Sequence, residues 1–418
     1  MDISSLLDTL NQAASFPNIQ TDTTDTERQA LYYACEKLST RLETPINRLM
    51  KTSFDFISPI ILRTAIDIGI FDFFNKDHEP AREIDAAAIA MHTKSNQALI
   101  GRIMRLLISL HVVDVTSEGK CRANSFTKSF QPGTEVHALV IMLSSVFIPV
   151  LGRIPVYLRQ NGNRPPENAN NGVFQDALGT DSHIYDWFRQ NKLEHDAFHQ
   201  MMVNRPSSHG GMWTDYIPQQ WILEKLSSRE PSSHDFTIVD MGASSRNVLD
   251  ALKQKIPMHN VRLILQDLPD VTKGEHHTTT MCQTGSYAPE KIERMDHDFF
   301  DPQPVQGANV YVLARALHNW PDKEASKILQ HIQAAMNQNS TLLIYDCVFS
   351  DRLEEVSYND AISDMIMMAA LASLERTEGQ FRVLLRSVGL SLVNVWRSPL
   401  ADDKQAILEI VRDDQIYS

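Results

Sequence analysis

From about residue 235 onward the chain repeats one rhythm, a short β-rich run followed by a helical pattern. The runs are FTIVDMG, VRLILQD, ANVYVLA, STLLIYDCV, LSLVNVW and QAILEIVR, and the clearest helical patterns cover 321–337 and 356–388. This alternation predicts an α/β architecture, a mostly parallel sheet with helices on both faces. Such a doubly wound sheet binds ligands at the carboxyl ends of its strands, near the switch point of strand order. Asp240, Asp267, Asp298, His318 and Asp346 all lie at or just beyond the ends of strand-like runs. One acid so placed means little, whereas several in successive units mark a candidate site.

Residues 1 to about 200 read differently, as helix after helix. Leu6, Leu7 and Leu10 share one face of a short N-terminal helix. Thr24 and Asp25 are good N-caps for a helix over roughly 26–51. The run SPIILRTAIDIGIFDFF predicts a helix buried on most sides. Between 83 and 130 come two helical segments and then VDVTSEGKCRANSF, two short strands around a Ser-Glu-Gly turn. That is a winged-helix pattern. Such a unit either reads DNA or serves as a structural module. The second long helix spends its surface on Ile and Leu, which favours the structural role. The segment NGNRPPENANNG at 161–172 is the clearest local break.

Charge weighs on the same choice. There are 39 Lys and Arg against 52 Asp and Glu, a formal charge of −13. A phosphate-binding surface would carry a basic stripe, so neither nucleic acid nor an anionic membrane is an expected partner. Cys35, Cys121, Cys282 and Cys347 are scattered, which fits neither a disulfide scaffold nor a structural zinc site. The N-terminus lacks a basic segment and a long apolar core, so no signal peptide is expected. The apolar stretches near 138–151 and 361–372 fall short of the ~20 residues of a membrane span. A cytoplasmic location is the expectation.

The motifs QDLPDV at 266–271, HDFF at 297–300, LHNWPD at 317–322, LLIYD at 342–346 and LERT at 374–377 follow in one order and spacing. In these the chain resembles the dimeric plant and fungal S-adenosylmethionine-dependent O-methyltransferases of class I. The resemblance covers nearly the whole chain. It implies a helical and winged-helix dimerisation domain over 1–200 and a Rossmann-like, seven-stranded catalytic domain over 201–418. It also implies a homodimer, a small-molecule substrate and no metal. By resemblance, His318 is the general base for a phenolic hydroxyl, and Asp346 and Glu375 are the acids that hold its ring. Asp267 matches the carboxylate for the cofactor ribose, and Asp298 and Phe299 match the adenine contacts. Met201, Met202, Trp213, Met365, Met367 and Met368 fall where the family lines its substrate site. Methionines at helical spacing are as readily explained by core packing.

The cofactor loop departs from the family pattern. Where the family has Asp-Val-Gly-Gly-Gly-x-Gly, this chain has Asp240-Met241-Gly242-Ala243-Ser244-Ser245-Arg246. Glycines there allow unusual backbone angles and close approach to the ligand. Ala243 and Ser244 add Cβ atoms, and Arg246 adds a cation beside a sulfonium. The family's basic residue four before the histidine is Ala314 here, with Arg315 next to it. Two readings follow. The main expectation, which the four changes at Ala243, Ser244, Arg246 and Ala314 favour, is an enzyme that binds S-adenosylmethionine weakly or not at all and catalyses dehydration or pericyclic closure, Diels–Alder or Alder-ene, of a polyketide-derived substrate. The intact His318, Asp346 and Glu375 favour an O-methyltransferase acting on a phenolic or enolic hydroxyl. A catalytically inactive dimer partner or a DNA-binding regulator is the reading from a different class.

Overall fold

The computed structural model describes residues 2–16, 22–75, 83–204, 213–227, 236–243, 249, 252, 261–272, 292–398 and 404–415. The chain forms two compact units, Met1–Asn124 and Ser125–Ser418. The helical part of the sequence is therefore shared between them.

The first unit begins with the expected helix Ile3–Ala14. The single helix anticipated over 26–51 is two helices, Asp25–Leu42 and Pro45–Phe54. Pro45 has no N–H to donate to a preceding turn, so the chain restarts there, with the Thr44 side chain accepting from the Asn47 amide at 3.3 Å. Thr24 caps the earlier helix in a reciprocal box with Glu27. The run expected to be buried on most sides breaks at Gly69, whose φ of +86° ends the helix Ile57–Ile68. Burial concentrates in the next turns, at Ile70, Phe71, Phe73 and Phe74, whereas Ile57 and Ile60 stay exposed. The winged helix is present. Helices Ala86–His92 and Gln97–Ser109 precede a small sheet of β1 (Glu83–Ile84), β2 (Val113–Val115) and β3 (Cys121–Ala123), in the order β1-β3-β2.

The second unit carries a seven-stranded sheet. Its strands are β4 (Phe236–Met241), β5 (Val261–Asp267), β6 (Glu293–Asp296), β7 (Val310–Ala314), β8 (Thr341–Cys347), β9 (Leu390–Arg397) and β10 (Gln405–Arg412). The spatial order is β6-β5-β4-β7-β8-β10-β9. Strands β4 to β8 pair in parallel, and β10 runs antiparallel between β8 and β9. The order reverses between β4 and β7, which makes the ends of these two strands the switch point. Alternate residues of each central strand enter opposite cores. Val239, Met241, Tyr311 and Leu313 pack with Ile328, Leu329 and Phe381, while Ile238, Val310 and Val312 pack with Ile217, Ile222 and Leu249. Burial on both faces explains why these strands read as continuous apolar runs.

Helices of the 135–204 region form a third core in the same unit. Glu135–Gln160 is one continuous 26-residue helix, joined through a π-helical turn at Leu143–Phe147. It exceeds the stretch read from sequence, and by length and composition alone it could cross a membrane. Here its inner face, with Ile141, Val146 and Val150, packs against Phe174, Phe188 and the C-terminal half of the helix Tyr358–Leu371.

Candidate active site

Two strand ends build the site. β7 ends at Ala314, and Arg315 turns the chain with a φ of +54°, its amide donating to the Tyr345 carbonyl at 2.7 Å. A side chain rarely adopts that backbone geometry, which costs on the order of 1–2 kcal/mol. The short 3₁₀ turn Leu317–Asn319 follows and carries His318, which is buried. Glu375 arrives from a break between two helices, Tyr358–Leu371 and Glu378–Arg386. The sequence reads as helical across 356–388, yet Ala372 takes a φ of +53° and ends the first helix.

The three expected catalytic residues come together, with different roles for the two acids. Glu375 faces the ring, with His318 Nδ1 at 3.2 Å from Oε2 and 3.3 Å from Oε1. Asp346, at the end of β8, does not hold the ring. Its Oδ2 accepts from the His318 backbone amide at 3.2 Å, so it fixes the turn that carries the ring. Burial pushes the Asp346 carboxyl up to about 6, and His318 partly offsets this. The Ser373 hydroxyl donates to the His318 carbonyl at 2.5 Å. The Glu375 amide donates to Asp364 Oδ1 at 2.8 Å, and the Ser363 hydroxyl reaches Glu375 Oε1 at 3.4 Å. With Glu375 held against Nδ1, Nε2 is the ring nitrogen available for proton transfer.

At the end of β4 the Asp240 carboxyl is fully buried, and neither oxygen has a hydrogen-bond partner. Burial, with Asp267 adding to it, raises its pKa well above the ordinary carboxylate value. Gly242 follows with a φ of +67°, and a Cβ there would sit 3.2 Å from Phe299 Cε1. The Gly242 and Ala243 amides donate to the Gln266 carbonyl at 2.9 and 3.2 Å, which keeps this turn beside the Asp267 end of β5. Ala243 is buried and clusters with Ile217, Ile222 and Leu249. Ser244, Ser245 and Arg246 lie outside the described residues. Asp298 is exposed, and its Oδ1 accepts from the Phe300 amide at 2.9 Å. Phe299 stacks edge-on against Trp320 at 6.0 Å.

The expected apolar wall is divided. Met367 is buried in the core that Met201 packs against. Met202 and Met368 are half-buried, whereas Met365 is exposed. Trp213 lies in the 3₁₀ turn Trp213–Tyr216, and its side chain lies outside the described residues.

Other residues that sequence reading missed lie close to these groups. His183 stacks on Trp320 with ring centroids 4.8 Å apart and planes 10° apart, and burial lowers its pKa to about 4. Burial raises the Tyr185 phenol, opposed by Arg315 and reinforced by Asp267. Arg315 also helps to hold the Asp346 pKa down. A cation is thus kept near the site one position after Ala314. The available signal was Arg315 itself, adjacent to the expected basic position. No comparable signal marked His183 or Tyr185. Among the described residues no group of His, Cys, Asp or Glu is arranged to hold a metal.

This is the constellation of a methyltransferase-type fold, with acids at the ends of β4 and β5 and a histidine paired with a carboxylate after β7. The chain belongs to the O-methyltransferase family. Residues 168–391 match the O-methyltransferase domain and residues 50–129 match the O-methyltransferase dimerisation domain. The chain is 32% identical over 416 residues to the O-methyltransferase mfmE of Annulohypoxylon moriforme, covering 98% of this chain and 96% of that protein. It is 30% identical over 365 residues to the demethylsterigmatocystin 6-O-methyltransferase of Aspergillus flavus, covering 87% of each. Among solved structures, LepI in complex with SAM matches with a TM-score of 0.78 at 26% identity over 98% of each chain. A structure described as a pericyclic reaction enzyme matches with a TM-score of 0.78 at 26% identity, over 98% of this chain and 99% of that one.

Proposed function

We propose that this protein is an S-adenosylmethionine-dependent O-methyltransferase of fungal secondary metabolism that acts, as a homodimer, on a phenolic or enolic hydroxyl of a polyketide-derived small molecule. The observation that carries this reading is the pairing of His318 Nδ1 with Glu375 at 3.2 Å in a buried site. The unpartnered Asp240 carboxyl and the Gly242 turn fit a ligand that brings positive charge and needs close backbone approach. By family resemblance, Asp267 would hold the ribose hydroxyls, and Asp298 and Phe299 the adenine. The cofactor, when bound, supplies an electrophilic methyl group on a positive sulfonium.

His318 Nε2 accepts the proton of the acceptor hydroxyl as the oxygen becomes nucleophilic. Glu375 orients the ring and stabilises the imidazolium that forms. Asp346 and Ser373 keep the backbone of the turn fixed while this happens. Such positioning matters because a small misplacement of a reacting group can lower a rate by orders of magnitude.

A second reading, dehydration or pericyclic cyclisation, is supported by the 26% identity to the pericyclic reaction enzyme and by the Ser244 and Arg246 substitutions in the loop. One experiment separates the two. The purified protein is titrated with S-adenosylmethionine by calorimetry. It is then incubated with methyl-labelled cofactor and a panel of phenolic polyketide acceptors. Micromolar binding and label in the product are expected. His318→Ala should lower transfer by about 10²–10⁴-fold with cofactor binding kept. A cyclised or dehydrated product without label would overturn the methyltransferase reading in favour of the second.

A further inference from the structure

Arg376 is 1% exposed and among the largest fully buried side chains of the chain. Arginine is almost never fully buried without partners that compensate its charge and donors. Its partners here all belong to the segment around His318. Nη1 donates to the Leu317 carbonyl at 3.4 Å and Nη2 to the Trp320 carbonyl at 2.8 Å. Nε and Nη2 donate to Asp322 Oδ1 at 3.0 and 2.7 Å. The guanidinium thus binds the backbone one residue before His318 and two residues after it, together with the first residue of the helix Asp322–Ala335. The Arg376 carbonyl in turn accepts from the Phe349 amide at 3.0 Å, which ties the segment to the chain just beyond β8.

The neighbours of Arg376 act on the same turn. Ser373 holds the His318 carbonyl and Glu375 holds the His318 ring. Residues 373–376 therefore set the position of the His318 backbone and the orientation of its imidazole from one short stretch of chain. A planar guanidinium suits this task because its donors diverge in a fixed fork that can span two carbonyls and a carboxylate at once.

We propose that Arg376, assisted by Ser373, is a positioning residue for His318, holding the Leu317–Trp320 turn so that the ring stays against Glu375 with Nε2 turned to the substrate. This rests on the reading of His318 as the proton acceptor. The alternative is that Arg376 merely satisfies turn carbonyls and supports stability.

The test uses the full-length chain with Arg376→Gln, Arg376→Lys and Ser373→Ala. The first readout needs no substrate. Carbethoxylation of His318 by diethyl pyrocarbonate is followed by peptide mass spectrometry well below each variant's melting temperature, with exposed His195 as internal reference. Arg376→Gln should raise the His318 rate several-fold and leave His195 unchanged. Arg376→Lys should fall between, because a lysine reaches one acceptor but not the fork. The second readout is kcat for methyl transfer, expected to fall on the order of tenfold or more while the KM for S-adenosylmethionine is unchanged. A lower melting temperature with an unaltered His318 rate overturns the proposal and leaves Arg376 a structural residue. If Arg376→Gln does not fold, Arg376→Lys and Ser373→Ala decide on the same readouts. If the wild-type protein transfers no methyl group, the functional reading fails while the carbethoxylation rates still judge the positioning role.

Discussion

The Asp346 carboxyl is fully buried, with Oδ2 on the His318 amide and Oδ1 without a hydrogen bond. Its native pKa of about 6 stands above the ordinary value of 3.8. In the window between these values the folded chain holds more proton than the unfolded chain, so stability falls as pH rises through it. The difference between these values corresponds to about 3 kcal/mol, lost in full above about pH 6. Asp346→Asn removes the titration and keeps an oxygen for the amide. The variant should therefore gain relative to wild type between about pH 4 and pH 6, read by denaturant unfolding at both ends of the window. Equal pH slopes for both proteins would contradict the burial effect. Gly242 offers a second residue-scale test. A Cβ would meet Phe299 at 3.2 Å, at a φ of +67°. Gly242→Ala should cost about 1–2 kcal/mol in unfolding experiments and weaken S-adenosylmethionine binding in calorimetry. An unchanged affinity would mean that this turn does not approach the cofactor.

Among the elements, the break between Tyr358–Leu371 and Glu378–Arg386 matters most, because Glu375 and Arg376 lie in it. Its far edge is set by Thr377, which accepts from the Gln380 amide at 3.2 Å while the Gln380 side chain accepts from the Thr377 amide at 2.8 Å. Thr377→Ala should destabilise the protein by about 1 kcal/mol, seen as a lower melting temperature; no change would mean that the box adds nothing to holding the break. A threonine three residues before a glutamine is the local signal of this cap, and the helical reading across 356–388 passed over it. The other edge has no such signal, since Ala372 adopts a left-handed backbone that nothing in alanine-rich sequence announces. Helical periodicity therefore reads straight through the segment. The same limit applies to Glu135–Gln160, where a buried core helix and a membrane span share one composition.

At the level of the molecule, the first unit leaves a band of apolar side chains exposed on its helices. Leu42, Ile46 and Phe54 are 75%, 61% and 56% exposed. Such surfaces on a separate chain would favour association, and residues 50–129 match a dimerisation domain. Light scattering should return twice the chain mass of 47.4 kDa. A value equal to one chain would contradict the homodimer. The winged helix was legible because two helical segments precede two short strands that flank a Gly-containing turn; the caps at Asp85 and Asn96 were seen only in the structure. The boundary between compact units was not, because helices of the 135–204 region share a core with Met367, Ala369 and Ala370, far along the chain.

The sequence by itself determined the kind of sheet, six of its seven strands and the histidine and acids at the ends of β4, β5, β7 and β8; the short strand β6, only partly buried, was not read. Those follow from short continuous apolar runs alternating with segments of helical period 3.6. Tertiary structure decided what each group touches. His318 meets Asp346 across 28 residues and Glu375 across 57, and whether a carboxylate reaches ring or backbone depends on how strand ends and a helix break close together. The same closure put Ala243 among core residues and brought the charge of Arg315 to bear on Tyr185 and Asp346. Local pattern carries no record of these contacts, because the partners become neighbours only when the sheet and its covering helices have packed.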